Sequence, residues 1–231
     1  MPVDEGGAVV AAPVTGYRLI LPEDWAHVPL REGTEDAVRG ILDEAFGRIP
    51  ADSPPDSVGP FKRELERRLR GVVEQVRESG ALDLYLPVRS VGDVNIGASV
   101  VVSETLLPRR DEQAPPVEPT DVAVQLLSRD RATDTGTGTG TDTAAEVDLS
   151  SGELDGALAV RREHVAAADP GRGAELASRR VEYVVAVPGD PGRWFTAAFS
   201  TVGGGDPRDE LADALVEWFD AVMATLRWRR A

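Results

Sequence analysis

The stretch Trp194-Phe195-Thr196-Ala197-Ala198-Phe199-Ser200-Thr201, followed by Gly203-Gly204-Gly205 and by Asp206 through Arg227, decides the fold. Its first part is an apolar run with strand character, and three glycines then supply a tight turn. From there Leu211, Leu215, Trp218, Phe219, Val222 and Leu226 recur at helical spacing, so one face of the following segment must be buried. Asp206 is placed to cap that helix, Pro207 suits its first position, and Asp209 and Glu210 complement its positive start. The chain therefore ends as strand, turn and core-sealing helix, and Arg227, Arg229 and Arg230 supply cations at the helix C-terminus.

Working outward, 231 residues are enough for one sizeable core, and an apolar fraction of 42% is ordinary for a globular chain. Forty acidic against 25 basic residues give a formal charge of -15, a field that repels phosphate backbones, so no nucleic-acid partner is expected. There is no cysteine, which removes disulfides, thiolate metal sites, thiol nucleophiles and lipid attachment at a lipobox. Met1 to Ala12 lacks a basic start followed by a long apolar core, and no run approaches the length of a membrane helix. The expectation is a cytoplasmic protein without a membrane span. Lys62 is the sole lysine among abundant arginine, alanine, glycine and aspartate, the style of a GC-rich bacterial genome.

Residues 1–14 read as a flexible tail, and 15–231 as one α+β domain. Tyr17 to Leu21 reads as a strand stopped by Pro22, with Trp25 as a core anchor. Thr34 is placed to cap a helix whose Val38, Ile41, Leu42, Ala45 and Phe46 share a face. Pro50 to Pro60 reads as a stiff linker. A second helix, from Pro60 to Glu78, then presents Phe61, Leu65, Leu69, Val72, Val73 and Val76, and Gly80 ends it. The helix pair thus spans about 34–79. Ala81 to Val88 alternates Leu82, Leu84 and Leu86 against Asp83 and Tyr85, and Val94 to Ser103 is a second strand with Gly97 at a bulge. Val122 to Leu127 leans to helix between flexible loops at about 108–120 and 129–145, the latter with repeated Gly-Thr. Val147 to Leu149 gives a short strand with a turn at Ser151-Gly152, and Ala157 to Val165 and Arg179 to Val187 are two more. Short links between consecutive strands favour antiparallel pairing. The expected architecture is a central, mostly antiparallel sheet of six to seven strands with helices on its faces.

No catalytic signature stands out. His27 and His164 lie far apart, and neither belongs to a ligand-spaced cluster. Carboxylate pairs such as Asp111-Glu112 and Asp43-Glu44 are common in so acidic a chain. Ser200 lacks the Gly-x-Ser-x-Gly setting, and Gly136 to Gly140 lacks the Lys-Ser/Thr ending of a phosphate loop. The Gly203-Gly204-Gly205 turn precedes a helix, yet Asp206, Asp209 and Glu210 fill that position with negative charge. Neither cofactor nor metal is expected. The candidate partner-binding residues are Arg63, Arg67 and Arg70, which fall at i, i+4 and i+7 on the second helix opposite its apolar face. Local pairing of Glu64 with Arg68, Glu66 with Arg70 and Arg70 with Glu74 is the plainer reading of those charges. Trp194 and Trp228 flank elements, where partial exposure would make them contact anchors.

Two pieces of the chain resemble a family. Tyr17-Arg18-Leu19-Ile20-Leu21-Pro22-Glu23-Asp24-Trp25 is similar to the opening strand, proline and tryptophan of the Mog1/PsbP-like superfamily, including its actinobacterial LpqN-type members. Phe195 to Ser200 and Trp218 to Trp228 resemble that group's closing strand, helix and exit segment. The resemblance implies an antiparallel sheet between helices and an accessory or binding role, and it carries over no active residue. The helix pair between Thr34 and Glu78 stands where the family has an early hairpin. The expected function is a non-catalytic accessory protein of a bacterial cytoplasm that works through a protein partner with an acidic surface, or through a second copy as a homo-oligomer. A secretion or envelope system of actinobacteria is the setting expected for it. Alternatives are a small-molecule or lipid-binding domain with a pocket between sheet and helices, and a hydrolase with a dispersed site.

Overall fold

The computed structural model describes residues 12–89, 96–107, 118–134, 147–172 and 174–231. Nine strands and four α-helices alternate in the order β1 (Val14–Arg18), β2 (Trp25–Pro29), α1 (Thr34–Gly47), α2 (Pro55–Glu78), β3 (Asp83–Pro87), β4 (Ala98–Leu106), α3 (Pro119–Asp134), β5 (Asp148–Leu154), β6 (Ala157–Ala166), β7 (Ser178–Ala186), β8 (Arg193–Thr201), α4 (Glu210–Ala224) and β9 (Arg227–Arg230) among the described residues. Seven strands form one sheet in the order β2-β3-β4-β8-β7-β6-β5, and β1 pairs with β9 in a separate ribbon. Every ladder among the described residues is antiparallel. The fold is α+β, with helices on both faces of an antiparallel sheet, as the strand spacing predicts. No helix among the described residues is long and apolar enough to cross a membrane.

Alternation along the strands sorts side chains between two cores. Val100, Val102, Val181, Val185, Phe195, Ala197 and Phe199 face α4, meeting Leu215, Phe219 and Met223. On the other face Val28, Leu84 and Val101 lie under α1 and α2, while Val160, Val184 and Trp194 lie under α3. Helix α4 is also latched by charge, because Asp220 accepts from Arg161 Nε (2.9 Å) and from the Tyr183 hydroxyl (2.8 Å). Under α3, Arg162 is buried in an ion pair with Glu182 and donates to the Leu127 carbonyl.

Several boundaries differ from the sequence reading, each for a local reason. The α4 cap is Asp209, which accepts from Ala212 N at 2.7 Å and Gly204 N at 2.6 Å, so Asp206 and Pro207 belong to the turn before the helix. Gly203 sits at φ +56°, and a Cβ there would lie 2.5 Å from Asp209 Oδ1, so only glycine fits beneath that carboxylate. The two backbone N–H groups hold the Asp209 carboxyl below its ordinary range. Residues 227–230, read as a basic helix end, form β9 instead. Gly33, at φ 79°, occupies the α1 cap, while the Thr34 hydroxyl donates backwards to the Pro29 carbonyl at 2.6 Å. Helix α2 begins at Pro55, inside the expected linker, because a proline suits the first helical position. Of its apolar residues Leu69 and Val73 are buried, whereas Phe61 and Val72 stay largely exposed. The β5 strand runs through Ser151-Gly152 to a turn at Asp155-Gly156, both at positive φ. Val14, placed in the tail by sequence, starts β1, and α3 takes in Pro119, Thr120 and residues 129–134 of the expected loops. The remainder of those loops, and residues 1–11, lie outside the described residues.

Candidate functional site

The arginines nominated on α2 are largely satisfied by their own helix. Arg67 grips Glu64 through two nitrogens (3.0 and 2.8 Å), Arg68 shares that carboxylate (2.5 Å), and Arg70 bridges Glu66 (3.1 Å) and Glu35 of α1 (2.7 Å). Glu74 pairs with Arg77 instead of Arg70. Arg63 is exposed and forms no ion pair with a described residue. Trp194 and Trp228 are only 2% and 8% exposed, against the partial exposure expected of anchors. Strand alternation turns Trp194 beneath α3, and β9 lays Trp228 edge-on against Phe195, with ring centroids 5.8 Å apart.

The structure instead gathers polar groups where the β1–β9 ribbon meets the β2–β3 side of the sheet. His27 and Tyr85 are register partners, and their rings stack with centroids 4.8 Å apart. Two positions before Tyr85, and so on the same face, Asp83 reaches His27 Nε2 with Oδ1 at 2.5 Å. Its other oxygen accepts from the Tyr17 hydroxyl at 2.5 Å, which ties the ribbon to the sheet, and Tyr85 OH lies 3.3 Å from Tyr17 OH. Burial pushes the Tyr17 phenol far above its ordinary range, with Tyr85 and Asp83 adding to the effect. Burial also raises Tyr85, partly offset by the Tyr17 hydrogen bond and the charge of Arg229. For Asp83 burial acts upward too, but the bonds from His27 and Tyr17 and the charges nearby outweigh it and hold the carboxyl below its usual value. At neutral pH the cluster is one carboxylate among firmly protonated phenols.

This cluster lines a pocket of about 540 Å³ together with residues of β1, the 19–25 connection, β3 and β9. Four arginines line it, Arg18, Arg31, Arg193 and Arg229, against two carboxylates, Asp83 and Glu104. Glu104 is occupied by Arg193 at 2.6 Å, and Asp83 by His27 and Tyr17. Arg18, Arg31 and Arg229 form no ion pair with a described residue, although Arg31 and Arg229 act on Asp83 and Tyr85 through space. What faces the cavity is therefore a set of donors. Arginine cannot lose its proton in water, and the phenols hold theirs, so the pocket suits receiving negative charge better than abstracting a proton.

A second cavity, about 380 Å³, runs between α1, α2 and the β3–β4 strands and is mostly apolar, lined by Ile41, Leu65, Val72, Leu86 and Ile96 together with Glu44, Arg48 and Arg68. Among the described residues no group of three or more histidine, aspartate or glutamate side chains is placed to hold a metal ion.

Sequence reading missed the first pocket because Asp83 lies 56 positions from His27 and 66 from Tyr17. One signal was available. Trp25 and His27 alternate on one strand and Asp83 and Tyr85 on another, each pair opposite an apolar face, which marks a polar aromatic patch across two strands.

No protein-family model matches this chain, and no curated protein matches it. Among solved structures, the crystal structure of LpqN involved in cell envelope biogenesis of Mycobacterium tuberculosis aligns over 96% of this chain and 87% of that one, at 12% identity and a TM-score of 0.40.

Proposed function

We propose that this is a non-catalytic binding protein, an accessory factor that holds an acidic group of its ligand or partner in the pocket between ribbon and sheet. One observation carries the reading. In a chain of net charge -15, Arg18, Arg31 and Arg229 line one cavity without a carboxylate of their own among the described residues. Guanidinium groups bring charge and paired donors to a carboxylate or phosphate, and the protonated phenols add neutral donors. Calorimetric titration with inorganic phosphate and with citrate at low salt tests this. Saturable binding is expected that weakens as salt rises and falls about ten-fold in Arg31→Ala/Arg229→Ala. Absence of saturable heat with either anion would overturn the reading.

The apolar cavity beside α2 favours a second reading, a domain that shelters a hydrocarbon ligand. The neutral probe N-phenyl-1-naphthylamine should then brighten with the wild type and lose that gain with Val72→Trp, which fills the cavity, and an unchanged signal in that variant counts against it. Kinship with the Mog1/PsbP-like superfamily is proposed on the residues quoted at the two ends of the chain. Cytoplasmic residence and service to an envelope or secretion system belong to the same proposal, and fractionation of host cells carrying the tagged protein tests them.

A further inference from the structure

Resting on the anion-binding reading of the ribbon pocket, we infer that its ligand is an amphiphilic monomer, an acidic head on an apolar body. The lining combines two chemistries. Arg31 and Arg229 bring charged donors alongside the Tyr17–Asp83–His27 cluster, while Leu19, Leu21, Pro22 and Trp25 supply an apolar wall. At about 540 Å³ the cavity falls within the roughly 300–1,000 Å³ of sites that enclose whole small ligands, far beyond the needs of a bare carboxylate or phosphate.

The apolar wall is preformed. The connection that carries it is pinned at three points: Ile20 N donates to Thr225 Oγ1 (2.9 Å), Trp25 N to the Pro22 carbonyl (3.1 Å), and Val88 N to the Asp24 carbonyl (2.8 Å). Trp25 is further fixed by stacking on Trp218 of α4, with ring centroids 4.4 Å apart. A wall already held in place costs little ordering on binding. The β1 backbone is bare at Gly16, which also lines the pocket and where a Cβ would meet no atom within 4 Å.

Titration of the whole protein with octanoate, acetate and 1-octanol separates head from body. Octanoate is expected to bind about ten-fold or more tightly than acetate, since two buried methylene groups already account for that factor, and more tightly than 1-octanol, which lacks the charged head that the arginines receive. Gly16→Val, whose Cβ has open space and whose bulk enters the pocket, should block octanoate, with unchanged melting behaviour confirming the fold. Leu21→Ser should lower octanoate affinity toward that of acetate and leave acetate alone. Octanoate no tighter than acetate, with phosphate and citrate still bound, overturns the amphiphile and spares the anion site. Octanol equal to octanoate also overturns it, as does binding only to anionic phosphatidylglycerol vesicles. Silence with every anion removes both readings.

Discussion

Replacing Asp83 by Asn tests the carboxylate that joins ribbon to sheet, and the structure sets the size of the effect. Asp83 accepts from Tyr17 and from His27, each at 2.5 Å. A hydrogen bond to a charged group contributes about 1.5–3 kcal/mol, against about 1 kcal/mol for the neutral bond that asparagine would keep with Tyr17. The His27 side chain is 49% exposed, so its arm of the cluster is screened and adds no more than about 1 kcal/mol. The expected loss is about 2 kcal/mol, or roughly 4–8 °C in Tm for a chain of this length. Its pH dependence has a definite sign. A carboxyl held below its ordinary 3.8 in the folded state stabilises above that value and loses its contribution as pH falls through the lowered one. The gap between wild type and Asp83→Asn should therefore be full at pH 6–7 and close progressively below about pH 4. Removing the negative charge also leaves the pocket more cationic, so phosphate should bind roughly two- to three-fold tighter at low salt while the fold weakens. Urea melts at pH 7 and pH 3, with calorimetry of phosphate binding, measure both halves. Equal stability of the two proteins at pH 7, or a gap that persists unchanged at pH 3, would refute the reasoning.

Beneath α3, Glu182→Leu strands the buried Arg162 charge and should cost about 3–5 kcal/mol in urea unfolding, whereas Arg162→Met/Glu182→Leu together should come within about 1 kcal/mol of wild type. Asp209→Ala should lower Tm by a few degrees and Asp206→Ala hardly at all, because only the former accepts from Ala212 N; equal losses would return the cap to Asp206. Arg63→Glu/Arg67→Glu should abolish affinity capture of a protein partner that docks on α2 and leave phosphate binding at the ribbon pocket intact. Capture that persists would remove that helix face from consideration.

The body of α4 was legible because Leu215, Phe219 and Val222 repeat at helical spacing and have only one face to bury. Its start was misplaced by three residues, since Asp206-Pro207 is itself a good beginning, and only the position of Gly203 against Asp209 selects the later cap. The β9 strand was illegible in principle. A lone tryptophan among arginines has too short a period to distinguish strand from a helix end, and its partner lies at the other end of the chain. In β5 the Ser151-Gly152 pair outweighed Asp155-Gly156, although Asp-Gly is the stronger hairpin signal and marks the turn. The exposure of Phe61 and Val72 could not be read from periodicity, which says which residues share a face and not how much of it α1 covers. The pocket escaped for a related reason: each member has an ordinary local setting, and the chemistry arises only when ribbon and sheet meet.

The ribbon has a consequence for synthesis. Thr15 and Arg229 touch across a separation of 214 positions, and Ala231 N donates to the Pro13 carbonyl at 3.1 Å. Pairings so distant close late, after local hairpins have formed. On the ribosome β1 must wait for this partner until residues 227–230 emerge from the exit tunnel. The pocket that the ribbon helps to line is therefore completed only after the seven-stranded sheet, and disrupting β9 should undo the pocket before it undoes that sheet.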